Sequence, residues 1–189
     1  RELVHKFGES ARRAMDAGFD AVEVHGAHGW LLNEFTSPLT NKRTDQYGTS
    51  VENRFRLPLE VIREVRSRMR NQAPLLFRLG ADDFTPGGLT IEESKKMAPA
   101  LVAAGVDVLD ISSGICGIYH PTDKKAGFFI PIAEEIKKAV SIPVIGVGGI
   151  TTAERANKYV SEERVDLVAI GRALMRDPAW GVKAMKALQ

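Results

Sequence analysis

Two histidines, His25 and His28, follow a short apolar stretch of the sequence, residues 20–24, whose valines are typical of a buried strand. Histidines three positions apart, just past the end of a strand, are expected on a loop where both can face one ligand. A neutral imidazole donates a hydrogen bond from one ring nitrogen, so either side chain can bind a carbonyl oxygen. A metal site is the competing interpretation, but no third histidine or nearby thiol completes a ligand set. A single histidine would favour a structural role, whereas the pair favours binding of an organic ligand.

Glycine-containing turns follow the last two predicted strands, residues 142–147 and 165–170. The first turn carries Gly148 and Gly149, and the second carries Gly171 followed by Arg172. Small residues at such turns let backbone N–H groups approach an anion, and a guanidinium adds a charge-assisted hydrogen bond. Glycines after strands are commonly turn residues and nothing more. Two such turns, one strand–helix unit apart, nevertheless predict a phosphate site.

The elements that must position these residues alternate between strands and amphipathic helices. Thr90 with Glu93, and Thr151 with Glu154, have the spacing of capping boxes at helix starts. Continuously apolar strands between helices predict an α/β fold with a parallel sheet that is buried on both faces.

Two architectures fit this alternation: a (β/α)8 TIM barrel and an open doubly wound sheet. The chain has 189 residues, whereas a complete barrel typically needs about 250 residues and eight strands. The glycine turns favour the barrel, because a barrel commonly binds phosphate at the loops after its last two strands. We therefore expect a barrel without its first strands, with a five-stranded doubly wound domain as the alternative.

Composition argues against several classes of function. Lys and Arg number 26 and Asp and Glu 24, a net charge of +2, so charge gives no reason to expect nucleic acid or membrane binding. The single cysteine, Cys116, excludes an intrachain disulfide and an all-cysteine metal site. No apolar run approaches the roughly 18 residues of a membrane span, and the N-terminus lacks a signal-peptide profile. We therefore expect a cytoplasmic protein.

Longer motifs contain most of the candidate residues. They are His25-Gly-Ala-His28-Gly-Trp30 with its polar continuation to Gly48, Glu52-Asn-Arg54, Phe77-Arg78-Leu79, Gly146-Val-Gly-Gly-Ile150 and Ile170-Gly-Arg-Ala-Leu174. Together and in this order they resemble the old yellow enzyme family of flavin-dependent ene-reductases, which includes members similar to 2,4-dienoyl-CoA reductase. The resemblance implies that residues 1–189 are the C-terminal part of a single FMN-binding (β/α)8 barrel domain, roughly strands 4–8.

The resemblance also implies a role for each matching residue. His25 and His28 fall on the paired ligands that hold and polarise the substrate carbonyl. Arg78 falls on the arginine beside the pyrimidine edge of the flavin. The positions implied for the phosphate are Gly148, Gly149, Gly171 and Arg172.

The implied reaction moves a hydride from NADH or NADPH, through FMN, to the activated C=C bond of a small α,β-unsaturated carbonyl compound. Trp30 departs from the family pattern, because many relatives carry there a tyrosine that is taken as the proton donor. Indole is not a usable acid near neutral pH, so we expect Trp30 to shape the pocket. Tyr119 and His120 are alternative donors on chemical grounds, although residues of this kind in a loop more often have no catalytic role.

Two alternatives stay open: an iron–sulfur-containing enoate or dienoyl-CoA reductase of the same family, and a non-catalytic half-barrel remnant. The family's first three strands contribute flavin contacts that this sequence does not supply. We therefore expect the chain to belong to a longer polypeptide or a homo-oligomer, and to bind FMN weakly on its own.

Overall fold

The computed structural model of the chain describes residues 1–70 and 73–189. Within these residues, five strands form one parallel sheet whose spatial order is their order along the chain. The elements are α1 (Glu2–Asp16), β1 (Val22–Gly26), α2 (Leu31–Thr36), α3 (Val51–Arg54), α4 (Arg56–Arg68), β2 (Leu75–Gly80), α5 (Ile91–Ala104), β3 (Val108–Ser112), α6 (Ile130–Lys137), β4 (Val144–Gly146), α7 (Ala153–Ser161), β5 (Leu167–Val168), α8 (Arg172–Arg176) and α9 (Trp180–Ala187).

The strand order distinguishes between the two architectures that the sequence allows. In a doubly wound sheet the order reverses at a switch point, so the first strand lies inside the sheet. Here β1 lies at one edge and β5 at the other, and each strand pairs with its neighbours along the chain. This is the order of consecutive strands in a barrel. The doubly wound alternative is therefore wrong.

Helices cover one face of the sheet and leave the other partly open. Val24, Phe77 and Ile111 are buried on the helix side, where they belong to the hydrophobic core. On the opposite face Glu23 and His25 are exposed. The expectation of a sheet buried on both faces is wrong for the described residues, because five strands do not close a barrel of eight.

The helix start at Thr90 confirms the predicted capping box. The Thr90 hydroxyl accepts the amide N–H of Glu93, and the Glu93 carboxylate accepts the amide N–H of Thr90, each at 3.3 Å. The second predicted box is wrong, because α7 is capped by Thr152 and not by Thr151. The Thr152 hydroxyl accepts the amide N–H of Arg155 at 3.4 Å, so arginine stands where a capping box needs glutamate.

The first strand begins and ends two residues later than predicted. It runs over Val22–Gly26, so His25 lies within β1 and not on the loop that follows it. His25 pairs in register with Arg78 on β2, which pairs in turn with Asp110 on β3. Strands β2 and β3 therefore carry polar residues at the same level of the sheet as His25.

None of the helices in the described parts of the chain is both long and apolar enough to cross a membrane.

Candidate active site

The histidine pair lies at the carboxyl end of β1. His28 follows the strand in the left-handed region with φ of 58°, and Gly29 continues the turn with φ of 74°. The amide N–H of Gly29 donates to Oδ1 of Asn33 at 2.8 Å, and Asn33 is fully buried. This contact holds the turn against α2 and brings the two imidazole rings edge to face, with centroids 5.1 Å apart.

Among residues 1–70 and 73–189 each imidazole of the pair has one hydrogen-bond partner. Nδ1 of His25 accepts the amide N–H of Ala27 at 3.3 Å, and Nε2 of His28 lies 2.6 Å from Oγ of Ser112 on β3. Burial lowers the pKa of His28 to about 4, with the Arg78 charge as the second cause. Partial desolvation of the ring and then the Arg78 charge also lower the pKa of His25, although the residue as a whole is exposed. Both rings are therefore neutral near pH 7 and can donate one N–H each.

Arg78 is held by a carboxylate on the neighbouring strand. Its guanidinium nitrogen Nη1 lies 3.3 Å from Oδ2 of Asp110, whose side chain is almost fully buried. Burial raises the pKa of the Asp110 carboxyl, and the Arg78 charge opposes this shift. Nε of Arg78 and Oδ1 of Asp110 are both buried without a partner among the described residues. Unpartnered buried groups are costly, so they indicate a binding partner beyond this chain's own side chains.

A cavity of about 430 Å³ adjoins Arg78 at the carboxyl ends of β3, β4 and β5. The predicted phosphate residues line it together with residues of the loop between β3 and α6. The lining relevant to binding comprises Arg78, Ser112, Tyr119, His120, Gly148, Gly149, Gly171 and Arg172. Five of the eight residues proposed from the sequence therefore share one cavity.

The turn after β4 needs glycine for two reasons. Gly148 and Gly149 have φ of 126° and 64°, in the region that side chains disfavour. A Cβ atom on Gly148 would lie 2.9 Å from the backbone nitrogen of Phe129. The amide N–H groups of Gly148 and Gly149 donate to no acceptor within residues 1–70 and 73–189. The turn can therefore offer these donors to an anion.

The second turn supplies the positive charge. Arg172 begins α8 directly after Gly171, and its guanidinium carbon lies 5.0 Å from the centre of the Tyr119 ring. Stacking on an aromatic ring restrains a guanidinium and leaves its edge free for hydrogen bonds. Tyr119 belongs to the loop between β3 and α6, so this contact joins two walls of the cavity.

Trp30 lies apart from this arrangement. It precedes α2, its side chain is 65% exposed, and it does not line the cavity. His25 and His28 also lie outside the cavity lining, although Ser112 connects His28 to it. The structure thus brings the glycine turns to Arg78 and places the histidines beside them, while Trp30 is exposed and does not line the cavity.

A buried carboxylate that the sequence analysis missed ties three loops together. Asp83 follows β2 and is fully buried. Its Oδ2 accepts the Ser37 hydroxyl at 2.5 Å and the amide N–H of Leu89 at 2.7 Å, and its Oδ1 accepts the amide N–H of Ile115 at 3.0 Å. These contacts hold the loops after β1 and β3 in place relative to β2, and both loops border the site.

Asp110 and Ser112 are also functional candidates that the sequence analysis missed. The signal for Asp110 was a charged residue inside an otherwise apolar predicted strand, Val106 to Ile111. Ser112 gave no signal, because a serine after a strand is an ordinary turn residue. Among the described residues no group of three or more histidine, cysteine, aspartate or glutamate side chains can hold a metal ion.

Much of the polar insertion after α2 stabilises its own loop. The Asn41 amide donates to the carbonyl oxygens of Phe35 and Tyr47, both at 2.7 Å. Arg54 is buried and donates to the carbonyl oxygen of Thr36 at 2.8 Å and to the Glu93 carboxylate at 2.7 Å. The motif residues from Asn41 onward therefore hold the segment that follows the histidines.

Comparisons with known proteins agree with this geometry. The sequence model of the NADH:flavin oxidoreductase / NADH oxidase family matches residues 1–189. An NADH oxidase from Thermoanaerobacter brockii is 46% identical over 192 residues, which cover 100% of this chain and 30% of the relative. An NADPH dehydrogenase from Geobacillus thermodenitrificans is 42% identical, with 99% of this chain and 54% of the relative covered.

Solved structures show the same likeness. A 2-naphthoyl-CoA reductase complex superposes with a TM-score of 0.91 and 31% identity, covering 98% of this chain and 29% of that one. The old yellow enzyme homologue from Zymomonas mobilis superposes with a TM-score of 0.80 and 25% identity, covering 100% of this chain and 52% of that one. The chain thus spans between about a third and about a half of these relatives. Its five parallel strands are part of a TIM barrel, and the chain belongs to the NADH:flavin oxidoreductase / NADH oxidase family.

Proposed function

We propose that the protein is an NAD(P)H-dependent oxidoreductase that binds FMN in the cavity beside Arg78 and reduces the C=C bond of α,β-unsaturated carbonyl compounds. The observation that carries the proposal is the buried, unpartnered Nε of Arg78 next to a cavity lined by two glycine turns. The family and its printed relatives, an NADH oxidase and an NADPH dehydrogenase, support the choice of cofactor and hydride donor.

The residues present fit FMN. A flavin offers hydrogen-bond acceptors at its pyrimidine edge, and Arg78 has a free donor that is held in place by Asp110. The phosphate needs several donors, which the amides of Gly148 and Gly149 and the Arg172 guanidinium can supply. When bound, FMN accepts a hydride from NAD(P)H and donates one to the substrate.

The histidines are proposed to bind the substrate's carbonyl oxygen. His25 and His28 are neutral because burial lowers both pKa values, so each can donate an N–H to that oxygen. Two donors aimed at one oxygen stabilise the negative charge that develops there when hydride reaches the far end of the conjugated system. Because both rings are neutral at and above pH 7, each keeps one N–H donor for the oxygen over a broad pH range.

Trp30 is proposed to shape the substrate side of the site. Its indole N–H donates a hydrogen bond but supplies no proton near neutral pH. Its exposure leaves it free to border a substrate on the open side of the sheet. Proton delivery to the substrate then falls to water or another group.

Residues 1–189 are proposed to be the C-terminal part of a single barrel domain. Glu23 and His25 on β1 and Leu167 on β5 are exposed on the edge strands, where further strands would cover them. We propose that the rest of a longer chain or a second copy supplies this cover. A barrel's remaining loops would then complete the wall around the cavity.

A larger reductase of the same family with an iron–sulfur cluster is the second candidate. The observation that favours it is that two of the relatives named above, the NADH oxidase and the 2-naphthoyl-CoA reductase, are more than three times as long as the matched segment. Analysis of the full-length protein for iron and acid-labile sulfide distinguishes the candidates. Stoichiometric iron and sulfide support the larger reductase, and their absence supports the simple FMN enzyme.

The histidine assignment is tested by enone-dependent oxidation of NAD(P)H in the full-length protein. We expect His25→Leu and His28→Leu each to lower kcat/KM by about a hundredfold, the cost of losing one donor to a developing oxyanion. Flavin content should stay near that of the unchanged protein. His5→Leu is the matched control, because His5 lies exposed on α1, remote from the cavity lining. Full activity in both variants would refute the assigned role.

A further inference from the structure

We propose that Ser112 is a positioning residue that fixes the proton of His28 on Nδ1, so that each of the two histidines has one defined N–H group for a ligand. A backbone amide contacts the ring of His25, whereas the Ser112 hydroxyl contacts the ring of His28. The assignment of protons concerns only this chain's own residues. Its meaning for the substrate rests on the proposed function.

The proton of His25 is placed by the backbone. The amide N–H of Ala27 donates to Nδ1 of His25 at 3.3 Å, and an amide nitrogen can only donate. Nδ1 must therefore carry a lone pair, and in the neutral ring the proton lies on Nε2. Nε2 of His25 has no hydrogen-bond partner in the described part of the chain, so its N–H is free for a ligand.

The proton of His28 is placed by a buried hydroxyl. Oγ of Ser112 lies 2.6 Å from Nε2 of His28, and Ser112 is only 1% exposed. Within residues 1–70 and 73–189 the hydroxyl has no acceptor other than this nitrogen. If Nε2 carried the proton, the Ser112 hydroxyl hydrogen would be buried without an acceptor, which is costly. Ser112 is therefore the donor and Nε2 the acceptor, which leaves the proton on Nδ1.

The backbone of His28 is fixed by the turn that follows β1. His28 sits in the left-handed region, and the next amide, that of Gly29, is bound by the buried Asn33. The low pKa of His28 keeps the ring neutral, so only one of its nitrogens carries a proton near pH 7. The turn and the hydroxyl together thus give a ring with one defined donor.

The consequence is a site that selects hydrogen-bond acceptors. Two N–H groups, from Nε2 of His25 and Nδ1 of His28, suit one carbonyl or phenolate oxygen. A ligand that presents only donors, such as an alkylammonium group, finds no acceptor on either ring. Ser112 would thereby contribute to specificity without touching the substrate.

The protonation pattern can be measured directly by NMR of the full-length protein labelled with ¹⁵N-histidine. In the unchanged protein we expect the His28 signals to show a protonated Nδ1 and an unprotonated Nε2, and those of His25 to show the reverse. The signals are assigned from their loss in His25→Leu and His28→Leu variants. A protonated Nε2 on His28 would overturn the proposal, and this result needs no variant of Ser112.

Two variants test whether Ser112 is the cause. Ser112→Thr keeps the hydroxyl and should keep the His28 pattern, whereas Ser112→Ala should shift the proton partly or wholly to Nε2. An unchanged pattern in Ser112→Ala would overturn the proposal. In Ser112→Ala we also expect phenolate binding to weaken by about tenfold, the typical effect of one hydrogen bond. Because the NMR pattern does not depend on turnover, it can succeed or fail independently of the proposed enzyme activity.

Discussion

Replacing Gly148 by alanine should damage both the stability of the fold and the binding of FMN. Gly148 has φ of 126°, which L-residues rarely adopt, and the strain of forcing a side chain there is about 1–3 kcal/mol. The new Cβ would also lie 2.9 Å from Cδ2 of Phe128 and from the backbone nitrogen of Phe129. Phe129 is buried and is the N-cap residue of α6, so it cannot move away easily. Overpacking of this kind costs about 1–3 kcal/mol.

The two terms together predict a loss of about 2–6 kcal/mol in the free energy of unfolding. Two assays on the full-length protein test this. Urea unfolding measures the stability, and a separate titration of the folded protein with FMN measures the affinity. The altered turn would also hold its amide groups away from the FMN phosphate. FMN affinity should therefore fall by roughly tenfold or more, since a loss of about 1.4 kcal/mol in binding free energy already has that effect. The midpoint of unfolding should fall while the slope with urea stays the same.

Two glycines serve as matched controls for Gly148→Ala. Gly181 lies in α9 with no atom within 4 Å of a Cβ, so Gly181→Ala should be neutral or stabilise by up to about 1 kcal/mol. Gly171 also has open space around it and φ of −102°, so Gly171→Ala should keep the stability of the fold. If Gly148→Ala behaved like these controls, the argument from backbone geometry would be wrong.

Three further predictions concern charge and completeness. Asp110→Ala leaves the Arg78 charge without its partner and should destabilise the protein by about 3 kcal/mol, measured by urea unfolding. Glu2→Ala, which removes one partner of an exposed ion pair, is the control and should change little. Equal losses of stability in the two variants would contradict the burial of the Arg78–Asp110 pair. The pKa of His28 is lowered to about 4, so the unfolded state binds more protons between pH 6.5 and 4, and stability should rise with pH across that window. His28→Gln should flatten this slope, and an unaltered slope would show that His28 is not its source. The 189-residue chain alone should bind FMN weakly or not at all in a fluorescence titration, because further strands are expected to complete the site; tight stoichiometric binding would disprove this.

The parts of the fold that the sequence predicted correctly are those set by local patterns. Thr90 and Glu93 form their capping box, and the glycine turns after β4 and β5 meet at one cavity, because parallel strands align their carboxyl ends. The position of β1 was predicted two residues too early. The polar residues Glu23 and His25 alternate with apolar ones within β1 and are exposed on the face away from the helices, so apolar character did not mark where the strand stops.

The parts of the site that could not be predicted depend on contacts between distant segments. Ser112 reaches His28 across 84 positions, and Asp83 binds loops that follow three different strands. No short-range pattern marks such residues, because their partners are set by strand register. The start of α7 could not be predicted either, because two adjacent threonines, Thr151 and Thr152, could each cap it. Only the backbone geometry shows that Thr152 is the cap.

The visible absorption spectrum of the purified full-length protein tests the central claim most directly. We predict flavin bands that bleach when NADH or NADPH is added without oxygen and recover when an enone follows, with Arg78→Ala lowering the amount of bound flavin. A colourless protein that cannot be reconstituted with FMN would contradict the account and would support a barrel fragment without catalytic function.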